Sequence, residues 1–265
     1  MSPDVFDIVI ALLMTLVAGL ATGIGGFISM AAKRDNTRML AFSMGLSAGV
    51  MTYISFMELL PDSMEAFGIG PMGQAKGLLW FFIGIALIAL IDHFVPEDEN
   101  PHEAHSLDEL SQPGNHHLKR TGLMLALAIG IHNFPEGMAT FVSALDGSLD
   151  VALPIVVAIA IHNIPEGIAV FVPIYHSTGS KTKAMKYTLL SGLSEPVGAL
   201  AGMLFLLPIW SVGVNAACLA ATAGVMVYIS FDELLPGAEK HGHHHMALAG
   251  VITGMAVMAV SLLLL

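Results

Sequence analysis

Long apolar runs separated by short polar stretches dominate this chain. A helix needs about 20 apolar residues to cross the hydrocarbon core of a bilayer. The runs are continuous and rich in Leu, Ala, Ile and Met, without strand-like alternation, so we expect spanning helices and not a barrel. About eight spans are predicted, near residues 5–32, 37–60, 74–95, 119–145, 150–175, 184–208, 210–235 and 246–265.

The composition is that of an integral membrane protein. Hydrophobic residues make up 55% of the chain and charged residues only 12%, against about 25% charged residues in a typical soluble domain. Residues 1–265 are therefore predicted to form a single all-α membrane domain embedded in the lipid bilayer. The formal net charge of −11 is opposite to what a nucleic-acid partner requires, so no nucleic acid is expected.

The basic residues predict the orientation, because they accumulate on the cytoplasmic side of membrane proteins. With eight spans, nine of the ten lysines and arginines fall on one side, and only Lys76 falls on the other. Both termini are therefore expected to be external, in a multi-pass protein of the cytoplasmic (inner) membrane. The nine residues are Lys33, Arg34, Arg38, Lys119, Arg120, Lys181, Lys183, Lys186 and Lys240.

One six-residue motif occurs twice at predicted membrane depth, as HNFPEG at 132–137 and as HNIPEG at 162–167. Ionisable residues are costly there, so their presence indicates function. The histidine and glutamate of each copy are four residues apart and share one helix face. Imidazole and carboxylate ligands suit zinc, iron or manganese. We therefore predict an intramembrane metal site with the candidate ligands His132, Asn133, Glu136, His162, Asn163 and Glu166.

Other spans offer further polar candidates. Glu195 precedes a proline in span six and is predicted to bring a third helix to the site, with a helix-packing hydrogen bond as the alternative. Gly137 and Gly167, which end the two motifs, predict close helix packing. A metal pathway with an outer entrance and an inner exit has the candidates Met51, Glu58, Asp232 and Glu233; charges at helix ends and methionine packing are equally ordinary interpretations.

A second repeat relates residues 49–61 of span two to residues 224–236 of span seven. The two spans are predicted to cross the membrane in opposite directions, so the repeat is inverted. Spans one to three then correspond to six to eight, with four and five in the centre, in a 3+2+3 arrangement. Inverted repeats with a midplane site are typical of secondary transporters. The pattern favours alternating access, in which one three-helix half and the central pair move against the other helices.

Histidine-rich tracts lie outside the predicted spans. The longest cytoplasmic loop, about 96–118, is rich in histidine and acidic residues, and a second tract follows span seven. Such tracts bind divalent metal loosely, although a solvated linker is the simpler interpretation. The candidate loop ligands are His102, His105, His116, His117, His241, His243, His244 and His245.

The paired HN-x-PEG motifs, the Ser-Glu-Pro of span six and the His-rich loop after span three resemble the ZIP (Zrt-, Irt-like) family of divalent metal transporters, most closely its bacterial branch. The resemblance covers nearly the whole chain. It implies an eight-helix 3+2+3 fold, commonly a homodimer, with a mononuclear or binuclear site at the seven candidate ligands, Glu195 included. It further implies uptake into the cytoplasm of Zn²⁺, Fe²⁺, Mn²⁺, Co²⁺ or Cd²⁺ as substrate, without a catalytic cofactor.

Two other functions use the same ligand types. A membrane-embedded metalloenzyme would also place histidine and glutamate at depth. The chain lacks an HExxH motif, however, and a hydrolase has no evident need for an inverted repeat. A metal-exporting antiporter would differ only in the direction of transport, and the residues themselves do not decide between import and export. We therefore expect a transporter and not an enzyme.

Overall fold

The described part of the chain is helical. The computed structural model describes residues 5–31, 36–94, 149–206, 211–239 and 242–264, together with residue 209 and parts of the segment 133–145. No strand occurs among these residues. Six of their helical stretches are long and apolar enough to cross a membrane. The prediction of an all-α, multi-pass membrane protein is confirmed.

Ten α-helices are numbered here in chain order. In the first part of the chain they are α1 (Val5–Ser29), α2 (Thr37–Ile54), α3 (Leu60–Ala66) and α4 (Pro71–Phe94). In the second part they are α5 (Leu149–Thr178), α6 (Lys181–Gly192), α7 (Ser194–Ala201), α8 (Val212–Ile229), α9 (Leu235–Glu239) and α10 (His244–Leu264).

Seven of the eight predicted spans correspond to these helices. Spans one to three and six to eight match the six membrane-length stretches. Span five matches α5, a helix of 30 residues. Span four falls mostly outside the described residues, although its described part within 133–145 is helical. The count of eight spans therefore stays a prediction.

Spans two and seven run further than predicted. α2 continues through the π-helical turn Ser55–Leu59 into α3, and α8 continues through the π-helical turn Ser230–Leu234 into α9. The predicted spans end at residues 60 and 235, each one residue before a proline. A proline inside a continuous helix removes one N–H donor, and in both spans a π-helical turn lies just before it, with the Leu60 and Leu235 N–H groups bonded to the carbonyls of Ser55 and Ser230. Because the helices continue, Glu58 and Glu233 lie inside continuous helices and not at helix ends.

The second sequence repeat is also a structural repeat. Thr37 and Val212 begin α2 and α8, and Ile54 and Ile229 end them, so that both ends of the two helices are offset by the same amount along the chain. The π-helical turns that follow keep this offset. Each helix also begins with a side-chain cap. The Asn36 side chain accepts a hydrogen bond from the Met39 N–H at 3.1 Å in α2, and the Ser211 hydroxyl accepts one from the Val214 N–H at 3.2 Å in α8. The two halves therefore share local structure and not only sequence.

Helix packing supports the inverted relation between the halves. α2 packs along α10, and α8 packs along α4. Repeat-related glycines permit both contacts, because Gly49 lies against the backbone of Val251 and Gly224 against that of Phe81. Span seven corresponds to span two and span eight to span three, so the contact of span two with span eight has its counterpart in the contact of span seven with span three. A two-fold relation between the halves requires this exchange.

A second group of helices surrounds α1, which packs along α5 and also contacts α6 and α7. Its opposite face exposes large apolar side chains, among them Phe6 at 68% and Phe27 at 67%. Exposed apolar surface of this extent is expected of a lipid-facing helix. One packed group is thus formed by α1, α5, α6 and α7 and another by α2, α4, α8 and α10, and α5 joins the two through its contact with α2.

Two hydrogen bonds join helix ends on one face of the assembly. The Lys181 ammonium donates a hydrogen bond to the carbonyl of Met30 at 2.6 Å, which joins the end of α1 to the start of α6. Thr37 and His243 are hydrogen-bonded at 2.9 Å, which joins the start of α2 to the start of α10. At the other face, the Ser63 hydroxyl donates to the carbonyl of Ala216 at 2.6 Å. The described connections therefore lie on both faces, and the placement of the termini stays a prediction.

Candidate metal centre

Five of the seven predicted ligands meet in the interior of the helical assembly. Asn133 and Glu136 belong to the segment 133–145, Asn163 and Glu166 to α5, and Glu195 to α7. Their exposed fractions range from 0 to 4%. The Glu195 carboxyl is close enough to Glu136 and Glu166 for electrostatic repulsion between them. Three helical segments thus bring three carboxyl groups and two amides together.

The asparagines orient the carboxylates of neighbouring helices. The Asn133 amide nitrogen donates to Glu166 Oε2 at 3.0 Å. The Asn163 amide nitrogen donates to Glu195 Oε1 at 2.6 Å and to the carbonyl oxygen of Ala18 at 2.8 Å. Each amide therefore directs its nitrogen to protein oxygens and leaves its own oxygen for another partner.

Three oxygen atoms at this centre have no hydrogen-bond partner among the described residues. They are Asn133 Oδ1, Asn163 Oδ1 and Glu195 Oε2. Burying an acceptor without a partner costs about 1–3 kcal/mol. Carboxylate and amide oxygens are ordinary metal ligands, so a bound cation is a suitable partner for these atoms. The centre thus has the donor set of a cation site.

A helix break positions Glu195. α6 ends at Gly192 and α7 begins at Ser194, with Leu193 between them. Glu195 therefore lies in the first turn of α7, where free backbone N–H groups favour a carboxylate. Pro196 is tolerated in the same turn because its missing N–H would have no partner there. The Ser-Glu-Pro sequence of span six explains why a carboxylate is placed at this depth.

The motif glycines bring the backbones into contact, as predicted. Gly137 lies against the backbone of Glu195, and Gly167 lies against the backbone of Thr22 in α1. A Cβ atom at either position would overlap a carbonyl oxygen. Close approach of the backbones is what allows short side chains such as asparagine to reach across between helices.

The two motif histidines are not part of this geometry. His132 lies outside the described residues, and of His162 the structure describes the helical backbone but not the side chain. Within the described side chains, no group of three or more His, Cys, Asp or Glu is arranged to hold a metal ion. The two histidines therefore stay predicted ligands.

The proposed pathway residues occupy different environments. Met51 is fully buried and packs in the same apolar core as Met226, its counterpart in the second copy of the repeat. Glu58 and Glu233 are counterparts in the same way and lie in the two π-helical turns. Glu233 is 5% exposed, Glu58 is half-buried and Asp232 is exposed. The acidic residues Glu58, Asp232 and Glu233 stay candidates for an entrance and an exit.

Of the histidine tracts, only the last three residues are described. His243 is hydrogen-bonded to Thr37. His244 Nδ1 lies 2.8 Å from Glu239 Oε1, and its ring contacts that of His245 edge-on. The loop 96–118 with its candidates, and His241, lie outside the described residues.

Sequence reasoning missed the contribution of α1. The carbonyl of Ala18 fixes the Asn163 amide, and Gly19 lies close to the Cβ atom of Glu195. A backbone carbonyl has no sequence signature of its own. The available signal was the run of small residues in span one, which includes Gly19, Gly23, Gly25 and Gly26 and is typical of close helix contacts.

A multi-pass helical membrane protein with buried carboxylates at its centre fits the class of membrane transporters, because ionisable residues inside a membrane mark ion or substrate sites. The chain matches the family model described as ZIP Zinc transporter over residues 6–262. It therefore belongs to the ZIP family. Membership confirms the predicted resemblance and decides against an intramembrane metalloenzyme.

Curated relatives match along almost the whole chain. The zinc transporter ZupT of Clostridium perfringens is 52% identical over 277 residues, which cover 97% of this chain and 96% of the relative. ZupT of Streptococcus mutans is 53% identical, with 96% and 97% covered. ZupT of Chlorobium phaeovibrioides is 53% identical, with 98% and 99% covered. The predicted resemblance to the bacterial, ZupT-like branch is confirmed.

Proposed function

We propose that this chain takes up divalent metal ions, zinc among them, across the cytoplasmic membrane. The observation that carries the proposal is the buried cluster of three carboxyl groups, with its three partnerless oxygen atoms. The names of the relatives support zinc as a substrate. Family membership supports transport, and the family resemblance supports import over export.

Charge explains why the cluster suits a divalent cation. The sequence has no lysine or arginine between residues 121 and 180. Carboxylates in a medium of low dielectric constant need a counter-charge nearby, because unpaired buried charge is expensive. A divalent ion supplies two positive charges to Glu136, Glu166 and Glu195. The ligands proposed for the complete site are these three residues with Asn133, Asn163, His132 and His162.

The substrate range follows from the mixed ligand set. Imidazole nitrogen and carboxylate oxygen accept zinc, iron, manganese, cobalt and cadmium, and selection among them depends on geometry and supply more than on raw affinity. We propose all five as substrates, bound singly or in pairs. Two motif copies with one glutamate each, and Glu195 between them, are compatible with either stoichiometry.

Purified protein in vesicles tests the proposed function directly. With a zinc-sensitive dye inside, external Zn²⁺ should raise the dye signal in protein-containing vesicles and not in empty ones. Competition by Fe²⁺, Mn²⁺, Co²⁺ and Cd²⁺ should slow the zinc signal. If protein-containing vesicles respond no faster than empty ones to any of the five ions, the proposed function is wrong. Vesicles sorted by protein orientation distinguish import from export.

Alternating access is the proposed transport mechanism. The predicted division placed one three-helix half and the central pair on one side. The packing favours a different division, because α1, α5, α6 and α7 pack together and carry most of the described ligands, while α2, α4, α8 and α10 form the paired contacts. We propose that the first group moves against the second and exposes the centre to each face in turn.

Cysteine labelling tests this movement. Ser55 and Ser230 occupy equivalent positions in the two π-helical turns, and both are fully buried. After replacement of Cys218, Ser55→Cys should label from the outer face and Ser230→Cys from the inner face. Zn²⁺ should change the two labelling rates in opposite directions. Simultaneous labelling of both sites, without a response to Zn²⁺, would instead indicate a channel.

Three further features belong to the proposal. Both termini are external, in the inner membrane, by the distribution of basic residues. The protein forms a homodimer, as the family resemblance implies. The histidine tracts bind metal at the cytoplasmic face and adjust its supply, because they lie outside the predicted spans and are too polar to form the path.

A further inference from the structure

The inverted repeat extends into the helices that line the centre. Gly19 of α1 and Gly192 of α6 lie against each other's carbonyl oxygens. Gly25 lies against the carbonyl of Ile164, whereas Gly198 lies against that of Phe134. The separation along the chain between Gly19 and Gly192 equals that between Gly25 and Gly198. Their partners Phe134 and Ile164 occupy the same position in the two central motifs.

The same relation pairs Thr22 with Glu195. Gly167 of the second motif lies against the backbone of Thr22, as Gly137 of the first motif lies against that of Glu195. A Cβ atom on Gly19 would lie 3.4 Å from Cβ of Glu195, and one on Gly192 would lie 3.0 Å from Cβ of Thr22. The backbone and Cβ of Thr22 therefore occupy, in the second half of the centre, the position that those of Glu195 occupy in the first, and a Cβ atom on Gly192 would lie 3.1 Å from the Thr22 hydroxyl oxygen.

The hydroxyl of Thr22 is buried and has no hydrogen-bond partner among the described residues. A threonine in a helix usually donates to the carbonyl four residues before it. For Thr22 that acceptor is Ala18, whose carbonyl oxygen already accepts the Asn163 amide. Many hydroxyls in the described helices form the usual bond, among them those of Thr15, Ser43, Ser55, Thr140, Thr188 and Ser230, whereas Ser29, Ser191 and Ser261 share with Thr22 a buried hydroxyl without a partner among the described residues.

We propose that Thr22 is an oxygen ligand for the transported ion, on the side of the centre opposite Glu195. This inference rests on the proposed function. Two independent observations support it: the two-fold relation to Glu195, and a fully buried hydroxyl whose usual acceptor is used by Asn163. A neutral hydroxyl here adds an oxygen without a fourth buried negative charge. With Thr22, α1 becomes the fourth helical segment to supply a ligand, after the segment 133–145, α5 and α7.

The ligand role predicts a defined effect on the ion's affinity and selectivity. Thr22→Val keeps the shape and removes the oxygen, and should raise KM for Zn²⁺ about three- to tenfold, the size expected for one polar contact. Inhibition of zinc uptake by Mn²⁺ should weaken by a larger factor than the rise in KM for Zn²⁺, because Mn²⁺ depends more strongly on oxygen ligands. Thr22→Ser keeps the oxygen and should behave like the wild type.

Vesicle uptake of Zn²⁺, with and without Mn²⁺, tests this on the full-length protein. Thr15→Val is the matched control, because Thr15 is equally buried in the same helix but its hydroxyl donates to Ala11 at 2.9 Å. Thr22→Ala is a second oxygen-free variant with less volume, should Thr22→Val not insert properly. Thermal unfolding of each variant reports any packing defect separately.

The outcomes separate this inference from the proposed function. A raised KM and weaker Mn²⁺ inhibition in the oxygen-free variants, with wild-type values for Thr22→Ser and Thr15→Val, support the ligand role. Wild-type KM and Mn²⁺ inhibition in the oxygen-free variants overturn it, and so does an equal change in Thr15→Val. If the wild type itself transports no ion, the proposed function fails, and the inference fails with it.

Discussion

Replacing Glu166 with alanine should reduce zinc uptake at least about 100-fold, because loss of even an outer partner of a metal ligand costs 10- to 100-fold. Glu166 is buried and lies at the junction of α5 with the first motif, where it accepts the Asn133 amide. Its removal takes one negative charge from the site that must attract a divalent ion. Glu136→Ala should have a similar effect for the same reason. Initial uptake rates in vesicles provide the measurement.

The folded structure should survive this change. Loss of one of three clustered carboxyl groups relieves repulsion between them, which offsets the lost hydrogen bond from Asn133. Glu65→Ala is the control, since Glu65 is exposed outside the cluster. It should keep nearly full uptake. Near-normal uptake by correctly inserted Glu166→Ala and Glu136→Ala, for every candidate ion, would exclude the central site as the transport site.

The helical fold could be predicted from the sequence because each span is a local pattern. The extent of the apolar run determines where a helix crosses the bilayer, and α1, α4 and α10 begin and end within a few residues of the prediction. The helices of spans two and seven run past their predicted ends at residues 60 and 235, because the apolar run stops there while the helix continues through more polar residues. Local patterns also contain no information on which helices are neighbours. The pairing of α2 with α10 became evident only from the packing.

The ligands were predictable for a related reason. The spacing predicts that His162 and Glu166 share a helix face, and the duplicate motif indicates that two such faces meet. The direction of each amide was not predictable, because it depends on an acceptor in another helix, such as Glu195 or the Ala18 carbonyl. The role of Thr22 was hidden as well. A threonine in an apolar helix usually bonds to the carbonyl four residues before it, and the sequence does not show that the Asn163 amide already donates to that carbonyl.

Gly167→Ala should destabilise the protein strongly, because it separates α1 from the central motif. A Cβ atom at Gly167 would overlap the carbonyl oxygen of Thr22, so one of the two backbones must shift. Overpacking costs about 1–3 kcal/mol and more when only backbone can yield, and we expect at least about 2 kcal/mol here. That corresponds to a fall in Tm of about 5 °C or more. Thermal unfolding in detergent, followed by size-exclusion chromatography, measures it.

Gly202→Ala is the matched control for this prediction. Its Cβ atom would lie 3.5 Å from the nearest atom, Cγ of Met138, which is an ordinary contact. Alanine also favours a helix over glycine by about 1 kcal/mol. Gly202→Ala should therefore unfold at or above the wild-type temperature. Equal unfolding temperatures for Gly167→Ala and the wild type would show that α1 does not pack against the second motif this closely. The site proposed for Thr22 would then lose its geometric basis, whereas the carboxylate cluster of Glu136, Glu166 and Glu195 would keep its own.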